Sequence, residues 1–410
     1  MKKNTYRRSK RVKTSLLKRT LMFLGFLLVM TIGVMGHTFF YVKKNITKMY
    51  VNDDIRHEIK KADKPLSILL MGVDTGDDER GGEQAWNGNT DSQIVLTLNP
   101  QKQTTTIISI QRDTMANITN DKGKIISTQK INAAYPIGYN ENGINTATSY
   151  AMRTIGQQIG IPLNNFVVMN MKGLVNLVND VGGIDIINDS GRDIFISNTE
   201  PEYTQIVPFI GEGKAQHING EQALVFCRDR DHLPDGDYGR AAHQREVFQE
   251  LMKKILKINN IFTYQKFLKD ISSDFKTNIS VDIKNLMTLM KYRECLKKVV
   301  SIQYEGIGAM VKDSLGNMVS YQFIPEVTYL AIQNAMRKAI NDSEIKNLNS
   351  SIITYESKFG NESKLYNLPY AIISENGKKS MVRIDSDGEG ISINTINKQK
   401  YGLTNNSLAK

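Results

Sequence analysis

Residues 65–114 read PLSILLMGVDTGDDERGGEQAWNGNTDSQIVLTLNPQKQTTTIISIQRDT. Three short apolar runs in this stretch, Ser67–Val73, Ile94–Leu98 and Thr104–Ile110, end at turn residues, a pattern typical of buried strands. Strand and helix patterns then alternate to about residue 340. Because strands that alternate with helices build layered α/β domains, the sequence predicts a three-layer α/β/α domain over residues 65–340.

The other elements of this domain follow from periodicity. Glu221–Phe226 fits either a helix or a strand, whereas Tyr238–Ile258 has the pattern of a long amphipathic helix. The remaining predictions are strands at Val167–Met171 and Ile184–Ile187 and helices at Gly143–Gly160, Lys172–Asp180, Thr263–Phe275 and Val281–Lys291. Residues 341–410 are rich in Asn, Ser and Lys. They are predicted to form a C-terminal extension that is partly disordered or holds a small β element around 381–396.

The first 64 residues predict a membrane anchor. The chain has 410 residues and a formal net charge of +11, and its first 19 positions hold nine basic residues and no acidic one. Leu21–Val42 carries no charged side chain and would be roughly 33 Å long as a helix, enough to cross a bilayer core. A cleaved signal peptide is the alternative, but the apolar run is longer and lacks an Ala-x-Ala cleavage motif. Because the basic side stays inside, we expect a cytoplasmic tail at 1–19, a transmembrane helix at 20–42, a stalk at 43–64 and an extracellular body.

Composition excludes several classes of protein. Hydrophobic residues make up 40% and charged residues 23% of the chain, which excludes a mostly disordered chain, a collagen and a multi-span membrane protein. Two cysteines exclude a disulfide scaffold and a zinc cluster built from cysteines. The five histidines lack the spacing of a histidine-based metal site. Outside the basic tail the charges nearly balance, so the body shows no sign of nucleic-acid binding.

Asp and Arg residues are concentrated at the ends of the predicted strands. Asp74 follows the first strand, Asp91 precedes the second, and Arg112 follows the third. The later segment 227–245 reads CRDRDHLPDGDYGRAAHQR. In a strand, alternation would place Arg228 and Arg230 on one face, and the spacing of Arg240 and Gln244 places both on one face of a helix.

This set of residues suits a phosphate ligand. Arginines clamp phosphate oxygens, and two carboxylates together with a pyrophosphate can form an oxygen shell for Mg²⁺. For any single residue, a surface salt bridge or a turn carboxylate is the alternative. The joint occurrence of the residues favours a site, because like charges near apolar strands are costly without a ligand. The spacing therefore predicts an anion or phosphate site that could include a metal, of the kind that phosphoryl transfer requires.

The same segments resemble the LytR-CpsA-Psr family. The resemblance runs from about residue 65 to 257 and rests on LLMGVDTGDDERG, GNTDSQIVLTLNP, ISIQRDT, KINAAYPIG, MKGLVNLVNDVGGIDI, HINGEQALVFCRDR and DGDYGRAAHQREV. It implies a domain with a central mixed sheet. It also implies a membrane-bound phosphotransferase on the outer face of Gram-positive cells. Such an enzyme moves a glycopolymer, either wall teichoic acid or capsular polysaccharide, from undecaprenyl pyrophosphate to N-acetylmuramic acid of peptidoglycan.

The resemblance also implies roles for individual residues. Asp74 and Asp91 would hold Mg²⁺, and their oxygen ligands suit Mn²⁺ as well. The residues implied to bind the pyrophosphate are Arg112, Lys130, Arg228, Arg230, Arg240 and Gln244, with Asp237 nearby. Arg80, in the loop before Asp91, is a candidate to substitute for a phosphate contact that the family often places just ahead of Asp91. Those expected to take part in catalysis are Arg112, Asp91, Arg228 and Arg230. The general base that would accept the proton of the acceptor hydroxyl stays open between Asp91 and Asp113.

A slot for the polyprenyl tail is a further implied feature. Its candidate residues are Ile144, Ala151, Ile155, Val168, Leu174, Leu177 and Val178, although the residues alone fit ordinary core packing better. The sequence departs from the family pattern at three places. Gln111 stands where Pro is usual, Asn89-Thr90 stands where an Arg often precedes Asp91, and His243 stands where Arg is common.

Two other functions stay open at this stage. A pyrophosphatase would use the same site with water in place of the acceptor hydroxyl. A non-enzymatic regulator of the envelope is the other alternative, and the short cytoplasmic tail speaks against it because 19 residues hold no helix-turn-helix. The sequence identifies neither the glycopolymer nor the oligomeric state.

Overall fold

The computed structural model of the chain describes residues 49–51, 62–74, 86–196, 205–233, 235–257, 272–280, 288–313, 316–360, 368–375 and 378–392. The strands are β1 (Leu66–Asp74), β2 (Asn89–Asn99), β3 (Thr104–Ser109), β4 (Met115–Thr119), β5 (Ile125–Lys130), β6 (Asn165–Asn170), β7 (Ile184–Ile187), β8 (Ala215–Ile218), β9 (Phe275–Thr277), β10 (Lys298–Gln303), β11 (Ile307–Lys312), β12 (Met318–Phe323), β13 (Tyr370–Glu375), β14 (Lys378–Ile384) and β15 (Gly390–Ser392). The helices are α1 (Ala134–Ile159), α2 (Met171–Asp180), α3 (Gly220–Arg228), α4 (Asp237–Leu256), α5 (Glu326–Ala339) and α6 (Tyr355–Phe359).

Nine of these strands form one mixed sheet, in the order β15-β14-β13-β10-β3-β2-β1-β6-β9. β1 is parallel to β6 and β3 is parallel to β10, while the other neighbouring pairs are antiparallel. The C-terminal ends of β1, β3, β6 and β10 therefore lie at one end of the sheet, where β2 begins. The predicted α/β class and central mixed sheet are confirmed.

Helices pack against both faces of the sheet. Leu69 of β1 belongs to a hydrophobic cluster with Ile155 of α1 and Ile332 of α5. The next residue, Leu70, points to the opposite face and belongs to a cluster with Phe248 of α4. Because successive side chains of a strand alternate between faces, continuous apolar runs such as the one in β1 are buried on both sides.

The ambiguous segment at 221–226 is part of a helix. Helix α3 begins with a capping box, in which the Asn219 side chain accepts from the Gln222 backbone N–H and the Gln222 side chain accepts from that of Asn219. The predicted helices at 263–275 and 281–291 lie largely outside the described residues. The end of the first and the residue that follows it form part of β9.

The C-terminal strands belong to the central sheet rather than to a separate element. β13 pairs with β10, and β14 and β15 extend the sheet beyond it. On α5, the Asn334 side chain donates to the carbonyl groups of Ile345 and Ser386, at 2.9 and 2.7 Å. In the described chain, packing therefore continues across the boundary that composition predicts at residue 340.

No helix in the described ranges is long and apolar enough to cross a membrane. The predicted transmembrane segment, residues 20–42, lies outside those ranges, as do the predicted tail at 1–19 and most of the predicted stalk at 43–64.

Candidate phosphate site

A β-bulge places two carboxylates at the end of the sheet. Gly72 of β1 pairs with Ser92 and Val73 pairs with Thr90, so Asp91 of β2 is an extra residue with no partner in the register. Asp74 ends β1 directly beside this bulge, opposite Asn89. Bulges of this kind redirect a side chain and are common next to active sites.

Asp91 is held by two neighbours. Its Oδ2 accepts a hydrogen bond from Arg112 Nη1 at 2.9 Å, and its Oδ1 accepts one from Asn132 Nδ2 at 3.1 Å. Asn132 is buried, and its backbone N–H donates to the Arg112 carbonyl oxygen at 3.3 Å. Sequence reasoning missed Asn132 as a site residue, although it lies two residues after Lys130 in the KINAAYPIG segment.

Arg112 is the centre of the charged network. Besides its bond to Asp91, its Nε lies 3.6 Å from Asp237 Oδ2 and 3.8 Å from Asp113 Oδ2. Burial lowers the pKa of Arg112, but the charges of Asp91, Asp237 and Asp113 more than offset it, and the pKa is raised overall. Lys130 Nζ pairs with Asp113 Oδ1 at 2.9 Å. The network thus favours the cationic form of Arg112 further.

The turn that carries Arg112 is tied to the rest of the domain through its backbone. Gln111 N–H donates to the Tyr304 hydroxyl at 3.2 Å, and the Gln322 N–H of β12 donates to the Asp113 carbonyl oxygen at 2.9 Å. Proline has no N–H, so the hydrogen bond to Tyr304 depends on Gln111 standing where the family pattern usually has proline. Gln111 therefore secures the turn by a different contact.

The remaining arginines come from the end of α3 and the start of α4. Arg228, the last residue of α3, lies with its Nη2 3.4 Å from Asp74 Oδ2. Arg240 Nη2 lies 3.2 Å from Asp237 Oδ1. Burial and the charge of Arg112 lower the pKa of Arg240, and Arg230 adds to this effect. The structure thus brings four sequence-predicted cations, Arg112, Lys130, Arg228 and Arg240, into contact with four carboxylates.

The predicted placement of Arg228 and Arg230 on one face of a strand is wrong. Arg228 ends helix α3, Asp229 is its C-terminal cap, and Arg230 lies in the turn that follows. Arg230 Nε lies 3.3 Å from the exposed Asp231 carboxylate, whereas Arg228 pairs with Asp74. The helix forms because the capping box at residues 219–222 fixes its start.

Gln244, His243 and Arg80 are the remaining residues that the sequence analysis singled out around the site. Gln244 accepts from the Ser92 hydroxyl at 3.0 Å and donates to the Cys227 carbonyl oxygen at 3.2 Å, so it links β2, α3 and α4. His243 is buried, with its ring stacked on Phe226 at 3.8 Å between centroids. Arg80 lies outside the described residues.

An apolar cavity of about 80 Å³ adjoins the site. It lies between the sheet and helices α2, α3 and α4, and Arg228 and Gln244 line its polar side. Its apolar lining includes Leu70, Ile94, Leu174, Leu224, Val247 and Leu251. Of the seven residues predicted for a lipid slot, Leu174 lines this cavity.

The other six predicted slot residues lie elsewhere in the interior. Those packed in the cluster between the sheet and helices α1 and α5 are Ile144, Ala151, Ile155 and Val168. Leu177 and Val178 are buried on α2. The cavity beside Arg228 is thus formed mostly by residues that the sequence did not single out.

Asp74 and Asp91 have the chemistry of a magnesium site. Both offer hard oxygen atoms, and they lie on neighbouring strands at the bulge. Mg²⁺ in phosphate sites takes one or two carboxylates and completes its shell with substrate oxygens and water. Within the described ranges, no group of three or more His, Cys, Asp or Glu side chains forms a metal cage from protein ligands alone. The donor set therefore fits a metal that is bound together with a phosphate ligand.

Comparisons with known proteins identify relatives of this chain. A family model described as the LytR_cpsA_psr family matches residues 36–338. Biofilm regulatory protein A of Streptococcus mutans is 36% identical over 308 residues, which cover 74% of this chain and 71% of that protein. Polyisoprenyl-teichoic acid–peptidoglycan teichoic acid transferase TagU of Enterococcus faecalis is 34% identical over 323 residues, 77% of this chain and 95% of that protein. The crystal structure of protein gbs0355 from Streptococcus agalactiae matches with a TM-score of 0.63 at 38% identity, covering 73% of this chain and 95% of that one.

Proposed function

The chain belongs to the LytR-CpsA-Psr family, and we propose that it is a transferase that moves a glycopolymer from undecaprenyl pyrophosphate to N-acetylmuramic acid of peptidoglycan. The polymer is of the wall teichoic acid or capsular polysaccharide class. One observation carries the proposal: Arg112, Arg228 and Arg240 converge with Lys130 on the carboxylates at one end of the sheet. The Enterococcus faecalis relative is named for the transfer of teichoic acid to peptidoglycan, which supports the same class of reaction here.

The ion pairs of the site suggest how the donor is received. Arg112 pairs with Asp91 and Arg228 pairs with Asp74, so two of the proposed phosphate ligands each contact a proposed metal ligand. With the donor bound, the guanidinium groups would turn to phosphate oxygens, and Asp74 and Asp91 would hold Mg²⁺ or Mn²⁺. The metal would supply positive charge to the pyrophosphate oxygens. The exchange keeps every charge compensated, which matters because these side chains are partly buried.

The proposed reaction forms one phosphodiester and breaks one phosphoanhydride. The acceptor hydroxyl oxygen bonds to the phosphorus that carries the glycopolymer, and the bond from that phosphorus to the bridging oxygen breaks. The lipid leaves as a monophosphate, and the hydroxyl proton passes to a base. Arg112, Arg228, Arg230 and Arg240 with Lys130 stabilise the charge on the phosphoryl oxygens, which is the main protein contribution in such transfers.

The cavity beside Arg228 is proposed to receive the first part of the polyprenyl tail. At about 80 Å³ it is smaller than most ligand pockets, so tail binding requires α2 and α4 side chains to move. Replacing Leu174 with phenylalanine should fill it and weaken binding of a fluorescent polyprenyl pyrophosphate by about tenfold, while binding of inorganic pyrophosphate stays unchanged. Leu348→Phe is the control, since Leu348 lines a separate cavity of about 630 Å³ beside helices α1 and α5. Equal affinities for Leu174→Phe and wild type would contradict this placement.

Asn132 is proposed to hold Asp91 in position. Asn132→Ala removes the hydrogen bond to Asp91 Oδ1 and should lower turnover by roughly 10–100-fold, the usual effect of losing a residue that orients a metal ligand. Asn87→Ala, which removes a surface bond to Asn140, is the matched control and should leave turnover unchanged. Turnover is measured as glycan joined to peptidoglycan oligomers per unit time. Wild-type turnover in Asn132→Ala would show that Asp91 needs no such support.

The proposed location is the outer face of the cell membrane. Support comes from the sequence, in which the basic tail at 1–19 and the uncharged segment at 20–42 predict one membrane pass with the N-terminus in the cytoplasm. Donor and acceptor would both meet the enzyme there, because the carrier is a membrane lipid and peptidoglycan lies outside.

The test of the proposed function is a transfer reaction with the full-length protein in detergent. The substrates are a polyprenyl-pyrophosphate glycan and peptidoglycan oligomers with Mg²⁺, and products are identified by mass spectrometry. Glycan joined to the oligomer through a phosphodiester is the expected result. Lipid monophosphate released without an adduct would instead indicate the pyrophosphatase that the same residues could form.

A further inference from the structure

A buried carboxylate and a histidine form a pair beside the phosphate site. Asp229, the C-terminal cap of α3, is only 4% exposed. Its Oδ1 accepts a hydrogen bond from His232 Nδ1 at 2.8 Å and a longer one, of 3.4 Å, from the His232 backbone N–H. Its Oδ2 is buried and has no hydrogen-bond partner among the described residues. Burying a carboxylate with only one of its two oxygens hydrogen-bonded is energetically unfavourable. Packing alone therefore does not explain why an aspartate stands at position 229.

The other ring nitrogen of His232 is available. Within the described part of the chain, Nε2 has no hydrogen-bond partner, and the side chain is 20% exposed. Because Nδ1 donates to a carboxylate, the neutral ring carries its lone pair on Nε2. Phe195 packs against the ring at 4.4 Å between centroids and is itself 40% exposed. The pair thus presents a basic nitrogen next to an exposed aromatic ring.

The pair belongs to the turn that carries the phosphate-site arginines. Asp229 lies between Arg228, which contacts Asp74, and Arg230. The Leu233 N–H donates to the Arg230 carbonyl oxygen at 3.3 Å, which folds the turn back on itself. Two residues of chain keep the Cα atoms of Arg230 and His232 within about 7 Å of each other. The charge of Arg230 contributes to the lowered pKa of Arg240, so this turn is electrostatically coupled to the cations of the phosphate site.

The carboxylates of the phosphate site are already engaged. Asp91 and Asp113 each accept a close contact from a cation, and so does Asp237. His232 Nε2 has no such contact with any described residue. A carboxylate that fixes one ring nitrogen so that the other can accept a proton is a recurrent device of general-base catalysis.

We propose that His232 is the general base of the transfer, that Asp229 positions its ring, and that the exposed face of Phe195 receives the acceptor sugar. The inference rests on the proposed function and adds the proton acceptor that it requires. His232 Nε2 takes the proton of the acceptor hydroxyl as the hydroxyl oxygen bonds to phosphorus and the bridging oxygen leaves on the lipid phosphate. The imidazolium then returns its proton to solvent.

The test replaces His232 with alanine in the full-length protein and adds imidazoles of increasing basicity. His232→Ala should lower kcat for transfer by about 100-fold and leave the Kd for polyprenyl pyrophosphate unchanged. Added imidazole should restore kcat, more strongly the more basic the imidazole. His217→Ala is the matched control: His217 Nδ1 also bonds an aspartate, Asp185, at 2.8 Å, but its Nε2 is engaged by the Gly182 carbonyl oxygen at 3.0 Å. It should change neither kcat nor the response to imidazole.

Two further variants distinguish a role in catalysis from a purely structural role of the residues around His232. Asp229→Asn should lower kcat on its own but add nothing in the His232→Ala background, because it acts only through His232. Phe195→Ala should raise KM for the acceptor and leave donor binding unchanged. Wild-type kcat in His232→Ala would overturn the inference, and so would a loss that no imidazole restores. The absence of an adduct with the wild-type protein would instead overturn the proposed function.

Discussion

Replacing Arg112 with alanine should reduce transfer by about a thousandfold, the largest effect that we expect from one substitution. Arg112 contacts Asp91, Asp113 and Asp237, and their charges raise its pKa. Arg112→Lys should still lose about a hundredfold. Lysine retains the charge but lacks the planar fork that binds two oxygens at once. The measurement is the initial rate of adduct formation at saturating donor and acceptor.

The control for Arg112 is a surface arginine. Arg293 lies 3.5 Å from Glu294 and is 61% exposed, so Arg293→Ala should leave the rate unchanged. Thermal unfolding of each variant establishes that the chain is folded. Because the carboxylates around Arg112 are partly exposed and can be hydrated, we expect Arg112→Ala to unfold close to the wild-type temperature. A folded Arg112→Ala variant that keeps more than about a tenth of the wild-type rate would contradict the role given to Arg112.

Removal of divalent metal should abolish transfer. Substitution of Asp74 or Asp91, the proposed metal ligands, should raise the Mg²⁺ concentration needed for half-maximal rate. Asp91→Asn and Asp74→Asn each remove one negative charge at the bulge, where both carboxylates lie at the end of the sheet. The Mg²⁺ concentration that gives half-maximal rate should rise more than about tenfold in both variants, because hard cations bind ionised carboxylates more strongly than amides. Mn²⁺ should replace Mg²⁺ in the wild-type protein. The measurement is the rate as a function of metal concentration after treatment with a chelator.

Asp113 is the matched control for the metal ligands. It is an aspartate of the same network but pairs with Lys130 at 2.9 Å rather than lying at the bulge. Asp113→Asn should leave the half-maximal Mg²⁺ concentration unchanged, whatever its effect on the maximal rate. Full activity in chelator, or an unchanged metal requirement in both Asp74→Asn and Asp91→Asn, would exclude the proposed metal site.

The carboxylates and Arg112 could be located from the sequence because strand ends are local signals. The apolar runs of β1, β2 and β3 have visible limits, and the polar residues that flank them lie at an end of the sheet. Asp74, Asp91 and Arg112 accordingly meet there in the structure. The bulge that turns Asp91 towards its partners has no comparable signal, because it depends on the register between two strands.

The sequence contains a signal for helix α3 that also fixes where Arg228 and Arg230 lie. Asn219 and Gln222 have the spacing of a capping box, which indicates a helix rather than a strand over the ambiguous segment. Recognising it would have placed Arg228 at a helix end and Arg230 in a turn. Asn132 was harder to identify, because its role depends on a bond to Asp91 that joins residues 41 positions apart.

The C-terminal strands show that amino-acid composition alone does not predict which segments belong to the central sheet. Residues beyond 340 are polar and weakly periodic, yet β13 pairs with β10 and extends the central sheet. Strand pairing between distant segments leaves little trace in local patterns, because the register joins residues that are far apart in the sequence. That residues 370–392 belong to the central sheet is therefore visible only in the three-dimensional pairing.

The most direct test of the central claim follows the phosphorus atom that carries the glycan. A donor with radioactive phosphorus at that position alone is incubated with peptidoglycan oligomers, Mg²⁺ and the full-length protein, and the products are separated. We predict that the label appears in the glycan–peptidoglycan adduct, that the released lipid phosphate is unlabelled, and that Arg112→Ala forms both products about a thousandfold more slowly. Label recovered on free glycan phosphate without an adduct, or on the lipid, would contradict the account.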